Sequence, residues 1–315
     1  MERSAIVSSL LLLALCACKL PTTPAVEHGL PQNPYRVVSV APQTFEDIVA
    51  LGIAPVGAYR VYTDQALMSA DTWQSIHPLT APPNVEQVLS LRPDVIFTVG
   101  PNAAESLSRI APTINIKDFT NFSDWRTRHR EVARLLHREP QAEAGIADTD
   151  RKIDQVRADF ARHPFRVLMG HVSANTRSMV IFPDNQNTAK LMKAIGLRYG
   201  KLHNQNLSDS HGTTVSWERV DDLDCDAFFV TPAPYENLAE RDKVAQQLAL
   251  LAAQPLWNRL SFVKAGHVFY MDSYWQMITP ITADRVMEDL ERDLLGRDLD
   301  SQWHIRLPLS SSSGS

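Results

Sequence analysis

The stretch NVEQVLSLRPDVIFTVG (residues 84–100) decides the fold, because the chain says it again 132 positions later as SWERVDDLDCDAFFVTP (residues 216–232). Aligned on their glutamates, Glu86 matches Glu218, Val88 matches Val220, Leu91 matches Leu223, Asp94 matches Asp226, Ile96 matches Phe228 and Phe97 matches Phe229. Each copy begins with apolar residues at helical spacing, reaches an Asp that closes the helix, and ends in an unbroken apolar run. Such a run is the mark of a strand buried on both faces of a parallel sheet. Upstream of each copy lies a second echo, FEDIVALGIAPVGA (residues 45–58) and TAKLMKAIGLRYGK (residues 188–201), in which a helix stops at Gly and runs on to a strand. Two similar α/β halves follow from this.

Working outward, RVVSVA (residues 36–41), PVGA (residues 55–58) and TINI (residues 113–116) read as further strands of the first half. Residues 123–163 are helical in pattern, with Ser123 or Asp124 as the cap and a break near Pro140. FRVLMG and SMVIF (residues 165–170 and 178–182) open the second half as a pair of strands, GHVFYMD (residues 266–272) is the last strand, and a terminal helix begins near Pro280. The expected fold is therefore α/β: two lobes with central parallel-rich sheets covered by helices, joined by a single long helix.

The chain of 315 residues carries a net charge of -5, which removes the basic footprint of a nucleic-acid binder. MERSAIVSSLLLLALCACKL is a basic start, a short apolar run and small residues before a cysteine, the pattern of a signal peptide rather than a membrane span. Leu15-Cys16-Ala17-Cys18 resembles a bacterial lipobox, with Cys18 the expected lipid anchor; ordinary secretory cleavage is the alternative. Cys225, beside a buried strand, reads as a small core residue. Four prolines between residues 19 and 34 make an extended tether. The division expected is 1–18 signal peptide and lipidation site, 19–34 tether, 35–139 first lobe, 140–163 connecting helix, 164–298 second lobe and 299–315 tail.

Lipobox, two α/β lobes, one helical connector, NVEQVLSLRPDVIF and PLWNRLSFVKAGHVF (residues 255–269) together resemble the periplasmic substrate-binding proteins of the siderophore and cobalamin class. That class has the class III periplasmic binding protein fold. The second half, through HGTTVSWERV and the Trp275 region, is most similar to the ferric hydroxamate-binding proteins. The resemblance implies a monomeric, lipid-anchored periplasmic protein that binds an Fe3+-siderophore complex, with no cofactor, no direct metal ligand and no catalysis. It also implies delivery to an ABC transporter permease dimer with its ATPase subunits. Cobalamin or haem is the alternative ligand, and haem would want an axial ligand such as His211, Tyr59 or Tyr62. The sequence lacks HExxH, GxSxG and Gly-rich phosphate loops, which leaves an enzyme reading with only the His171-Val-Ser constellation.

By the same resemblance, Glu86 and Glu218 are the acidic tips that meet permease arginines. Each also starts a helix, where the dipole favours a carboxylate and where a capping role alone would explain it. Ligands of open parallel sheets bind beyond the carboxyl ends of the strands, here the loops at 41–44, 59–64, 100–103, 172–177, 210–213, 231–235 and 272–277. A chelate needs cations near its oxygens and aromatic faces against its scaffold. Arg60 and Arg177 supply the cations, Arg177 at a position matching an arginine of the hydroxamate-binding relatives, although a solvated hairpin arginine reads the same way. Trp275 falls where those relatives carry a ligand-facing tryptophan, yet it could instead plug the core. Tyr274 and Met277 flank it, His211 stands where relatives place an aromatic, and Tyr59, Tyr62 and Tyr235 are nominated by loop position. Thr80 stands in place of the relatives' first-lobe arginine, and their tyrosine has no counterpart in VGPNAAES (residues 99–106), so the first-lobe half of the pocket departs from the hydroxamate pattern.

Overall fold

The computed structural model describes residues 36–60, 67–116, 124–173, 176–203, 207, 212–231 and 241–297. The first lobe holds β1 (Val37–Ser39), α1 (Pro42–Ala50), β2 (Gly57–Ala58), α2 (Ala70–Ser75), β3 (His77–Pro78), α3 (Val85–Ser90), β4 (Val95–Thr98), α4 (Pro101–Leu107) and β5 (Thr113–Asn115). Its five strands are all parallel, in the order β3-β2-β1-β4-β5. Because β1 and β4 are buried along their whole length, both faces need cover, and the helix crossing over between each pair of strands provides it.

α5 (Trp125–Leu135) begins at Asp124, whose carboxylate accepts from Thr127 N at 3.2 Å, and packs under the first lobe through Val132, Ala133 and Leu136. α6 (Glu139–Phe160) is the connector. Pro140, read as a break in one long helix, sits in the first turn of α6, where its missing N–H costs nothing. The apolar stripe Ile146, Ile153, Val156 and Phe160 packs into the second-lobe core, so the connector is laid against that lobe rather than spanning solvent.

The second lobe follows with β6 (Arg166–Ser173), β7 (Ser178–Ile181), α7 (Asn187–Ala194), β8 (Arg198–Tyr199), β9 (Lys201–Leu202), β10 (Thr213–Ser216), β11 (Leu223–Asp224), β12 (Ala227–Thr231), α8 (Arg241–Ala252), α9 (Ser261–Lys264), β13 (Val268–Tyr270) and α10 (Pro280–Leu295). Its main sheet runs β10-β7-β6-β12-β13, with β8 added on β6. The parallel set β8-β6-β12-β13 repeats β2-β1-β4-β5 of the first lobe, while the antiparallel β7 and β10 are peculiar to the second. Registers agree: Val95 pairs with Val37 at the start of β1, and its counterpart Ala227 pairs with Val167 at the start of β6.

The repeated Asp does something other than close a helix. Asp94 Oδ2 accepts from Arg36 N at 2.9 Å while Asp94 N donates to Arg36 O at 2.8 Å. In the second lobe Asp226 Oδ2 accepts from Arg166 N at 2.8 Å and Asp226 N donates to Arg166 O at 2.7 Å. α3 has already ended at Leu91. Each Asp thus brackets the two central strands at their entry, where the first N–H of the ladder lacks a strand partner. The second copy also departs from an α-helix: residues Trp217–Asp222 form a 3-10 helix kinked at Arg219, where ψ reaches 21°.

The Arg166 guanidinium holds the Asp226 carboxyl below the usual carboxylate range. A carboxyl whose pKa is lower folded than unfolded gives stability above its unfolded pKa that is lost as pH falls through the folded one. Asp226→Asn is therefore expected to cost no more than about 1 kcal/mol near neutrality, the pair being more than a third exposed. It is also expected to flatten the decline in stability below about pH 4, read by urea unfolding at stepped pH.

α10 closes the molecule. Thr279 and Thr282 form a reciprocal cap at its start, Gly296 ends it at φ 64°, and it packs against α6 and α1. A buried arginine helps tie the lobes: Arg128 on α5 donates from Nε to Asp47 Oδ2 of α1 at 2.6 Å and from Nη2 to Ile278 O, just before α10, also at 2.6 Å.

Candidate ligand cleft and docking edge

Both predicted glutamates lie exposed on the edge where the parallel strands end. Glu86 occupies the first turn of α3, whose cap Asn84 accepts from Glu86 N at 2.9 Å and Gln87 N at 3.1 Å. With the amides satisfied by Asn84, the Glu86 carboxylate is not consumed as a cap. Val85 and Leu89 stand exposed beside it. Glu218 follows Ser216, which is extended, in the first turn of the Trp217–Asp222 helix. Val88 and Val220, two residues on from each glutamate, are both fully buried, so the two carboxylates are presented by equivalent anchors.

Arg177 ends the β6–β7 hairpin at φ 46°, with its guanidinium 3.8 Å from Glu218 Oε1, 5.5 Å from the Trp217 ring centroid and donating to Gln254 Oε1 at 3.3 Å. The structure thus puts a predicted ligand cation and a predicted docking acid side by side. Arg60 lies just past β2, half-buried, its guanidinium 3.9 Å over the Trp73 ring and Nη1 donating to Trp73 O at 2.9 Å. Burial lowers its pKa. Tyr59 precedes it, half-buried, with its N–H on Ser39 O at 2.8 Å. Leu67, in the same connection, packs against the second-lobe core and so reaches across between the lobes.

The 272–277 loop is different. Trp275 is 1 % exposed, stacked on Phe229 at 5.0 Å and donating Nε1–H to Asp289 Oδ2 at 3.0 Å. Tyr274 also donates to that carboxylate and Met277 is equally buried. The expected aromatic wall is therefore placed in the core, because a buried carboxylate on α10 collects both of its polar tips. Burial beside Asp289 pushes the Tyr274 phenol far up. Sequence reasoning missed Asp289, and it missed Trp73. His171 at the end of β6 has its ring 6.0 Å from Phe182, edge-on, and burial lowers its pKa. Cys225 is buried as expected, its thiol pushed far up by burial. Cys18, Tyr62, His211 and Tyr235 lie outside the described residues. Among the described residues no three His, Cys, Asp or Glu side chains gather as a metal site, and no helix is long and apolar enough to cross a membrane.

This geometry has known parallels. A family model described as periplasmic binding protein matches residues 37–275. The putative ABC transporter substrate-binding lipoprotein YhfQ of Bacillus subtilis is 24% identical over 292 residues, covering 86% of this chain and 88% of the relative. The iron(3+)-hydroxamate-binding protein FhuD of Escherichia coli is 25% identical over 287 residues, covering 86% and 90%. Among solved structures, a FhuD-fold periplasmic binding protein of Bacillus subtilis superposes with a TM-score of 0.69 at 21% identity, over 84% of this chain and 96% of that one. Staphylococcus aureus SirA complexed with staphyloferrin B does so at 0.66 and 20%, over 84% and 94%.

Proposed function

Since this chain belongs to the periplasmic binding protein family, we propose that it binds a ferric siderophore between its lobes and delivers it to the permease dimer of an ABC importer. The observation that carries the reading is the duplication: one exposed glutamate on an equivalent anchor in each lobe, Glu86 and Glu218, suits a partner with two-fold symmetry. Relatives named as siderophore- and iron-hydroxamate-binding proteins support the ligand class, and relatives named as lipoproteins support a periplasmic protein anchored through Cys18. It works as a monomer and as a carrier, with no catalytic step.

Its parts divide the labour. The chelator already wraps the iron in hard oxygen donors, so the lobes recognise the outer surface of the complex and need not ligate the metal. Arg60 of the first lobe and Arg177 of the second supply cations at the strand ends, while Tyr59 offers an aromatic edge. The glutamates act on the permease, steering encounter and fixing orientation more than adding affinity.

Binding and delivery are tested separately. The soluble chain from Leu20 is titrated with ferric hydroxamates, ferric catecholates and ferric citrate, alongside cobalamin and haem, and radioiron uptake is measured in cells expressing the anchored form with its permease. Glu86→Lys and Glu218→Lys are each expected to cut uptake by roughly tenfold, and the double variant to abolish it, with chelate affinity unchanged in Glu86→Lys, whose site is remote from Arg177. Equal uptake by the double variant refutes the docking role; cobalamin or haem binding in place of every chelate refutes the ligand class.

A further inference from the structure

We propose that Arg60 and Trp73 form an anion-selective subsite, and that the chelate this cleft accepts is a negatively charged, carboxylate-bearing complex rather than a neutral one. The inference rests on the reading of the cleft as a ferric-chelate site. Its starting point is the half-buried setting of Arg60. Arg166 is held by Asp224 and Asp226, Arg128 by Asp47, and Arg177 lies against Glu218. Arg60 has no carboxylate partner among the described residues: it meets the ring and the carbonyl of Trp73, and burial lowers its pKa.

A half-buried guanidinium that meets no carboxylate among the described residues is favoured by an anion that arrives to match it. The stack uses the flat face of the group, and among the described residues Trp73 O takes one N–H of the five, so the edge of the plane carries further donors. An edge with parallel donors fits the two oxygens of a carboxylate. The ring fixes that edge in advance, so little side-chain entropy is lost on binding. Trp73 does not serve the core instead, because α2 contributes no buried residue to it. Position agrees as well, since Arg60 stands at the carboxyl end of β2 in the connection whose Leu67 reaches the second lobe. A neutral hydroxamate shell would accept hydrogen bonds there but return no charge.

The experiment is isothermal titration of the soluble chain with two probes, ferric citrate as the anionic complex and a neutral cyclic ferric tris-hydroxamate, each at low and high salt. Arg60→Ala is expected to weaken ferric citrate by roughly 10- to 100-fold and to reduce its salt dependence, while changing the hydroxamate by less than about threefold. Arg60→Lys keeps the salt dependence but not the full affinity, and Trp73→Leu falls between, with thermal melts showing each variant folded. A wild-type preference for the neutral hydroxamate, with Arg60→Ala altering neither probe, overturns the subsite and leaves the siderophore reading standing. Silence toward both probes and the other ferric chelates, with haem or cobalamin bound, overturns the siderophore reading and this inference with it.

Discussion

Replacing Asp47 with alanine is expected to remove about 3–5 kcal/mol of stability, because it strands a buried charge. Asp47, Arg128 and His129 are all fully buried. Asp47 Oδ2 takes Arg128 Nε at 2.6 Å and Oδ1 lies 2.9 Å from His129 Nδ1. Arg128 spends a further donor on Ile278 O, and its Nη1 is buried with no hydrogen-bond partner among the described residues, so loss of the carboxylate adds to donors already unmatched. Removing both charges is a different matter: Asp47→Leu with Arg128→Met exchanges the pair for apolar volume and is expected to recover a large part of the loss. Urea unfolding followed by tryptophan fluorescence measures both, and hydrogen exchange near Ile278 reports whether the lobes loosen. A loss under about 1 kcal/mol in Asp47→Ala would mean that the buried pair contributes nothing net to the fold.

The duplication was legible because parallel strands buried on both faces appear in sequence as unbroken apolar runs, and VIFT and AFFVT announce themselves. Glu86 and Glu218 came with them, since a fixed offset from a buried strand carries its helix start along. What sequence could not resolve were partners far along the chain. Asp94 reads as a helix stop until Arg36, 58 residues earlier, is seen to hold it. Arg60 and Trp73 are separated by 13 residues with no shared period, so nothing local announces the stack. Asp289 did leave a signal: it stands three residues after Val286 and one before Leu290, on the buried stripe of α10 with Ala283 and Leu294. An acid on an apolar helical stripe must find buried donors, and the aromatic donors just upstream of that helix were the ones to consider.

Trp275→Ala is accordingly expected to act on stability first, costing about 3–5 kcal/mol by loss of a large buried side chain. The ring is stacked on Phe229 at 29° between planes and belongs to the cluster that includes Met169, Ala189 and Val286. Its deletion opens a cavity that the strand β12 and helix α10 cannot both collapse into, since each is fixed by other contacts. It also takes away one of the donors to Asp289, whose remaining partners include Tyr274, Arg292 and, at 3.9 Å, Arg285. Trp275→Phe keeps most of the volume and drops only the N–H, so a cost nearer about 1–2 kcal/mol follows from the hydrogen bond alone. A ligand-facing tryptophan behaves in the opposite sense: its loss leaves the melting temperature nearly unchanged and weakens the chelate. Thermal unfolding and ferric-chelate titration of the two variants therefore divide the possibilities. A folded Trp275→Phe with wild-type affinity and a lowered melting temperature places this residue's work in the second-lobe core. Wild-type stability with lost binding would mean that the 272–277 loop opens toward the ligand and that Asp289 releases its donors when it does.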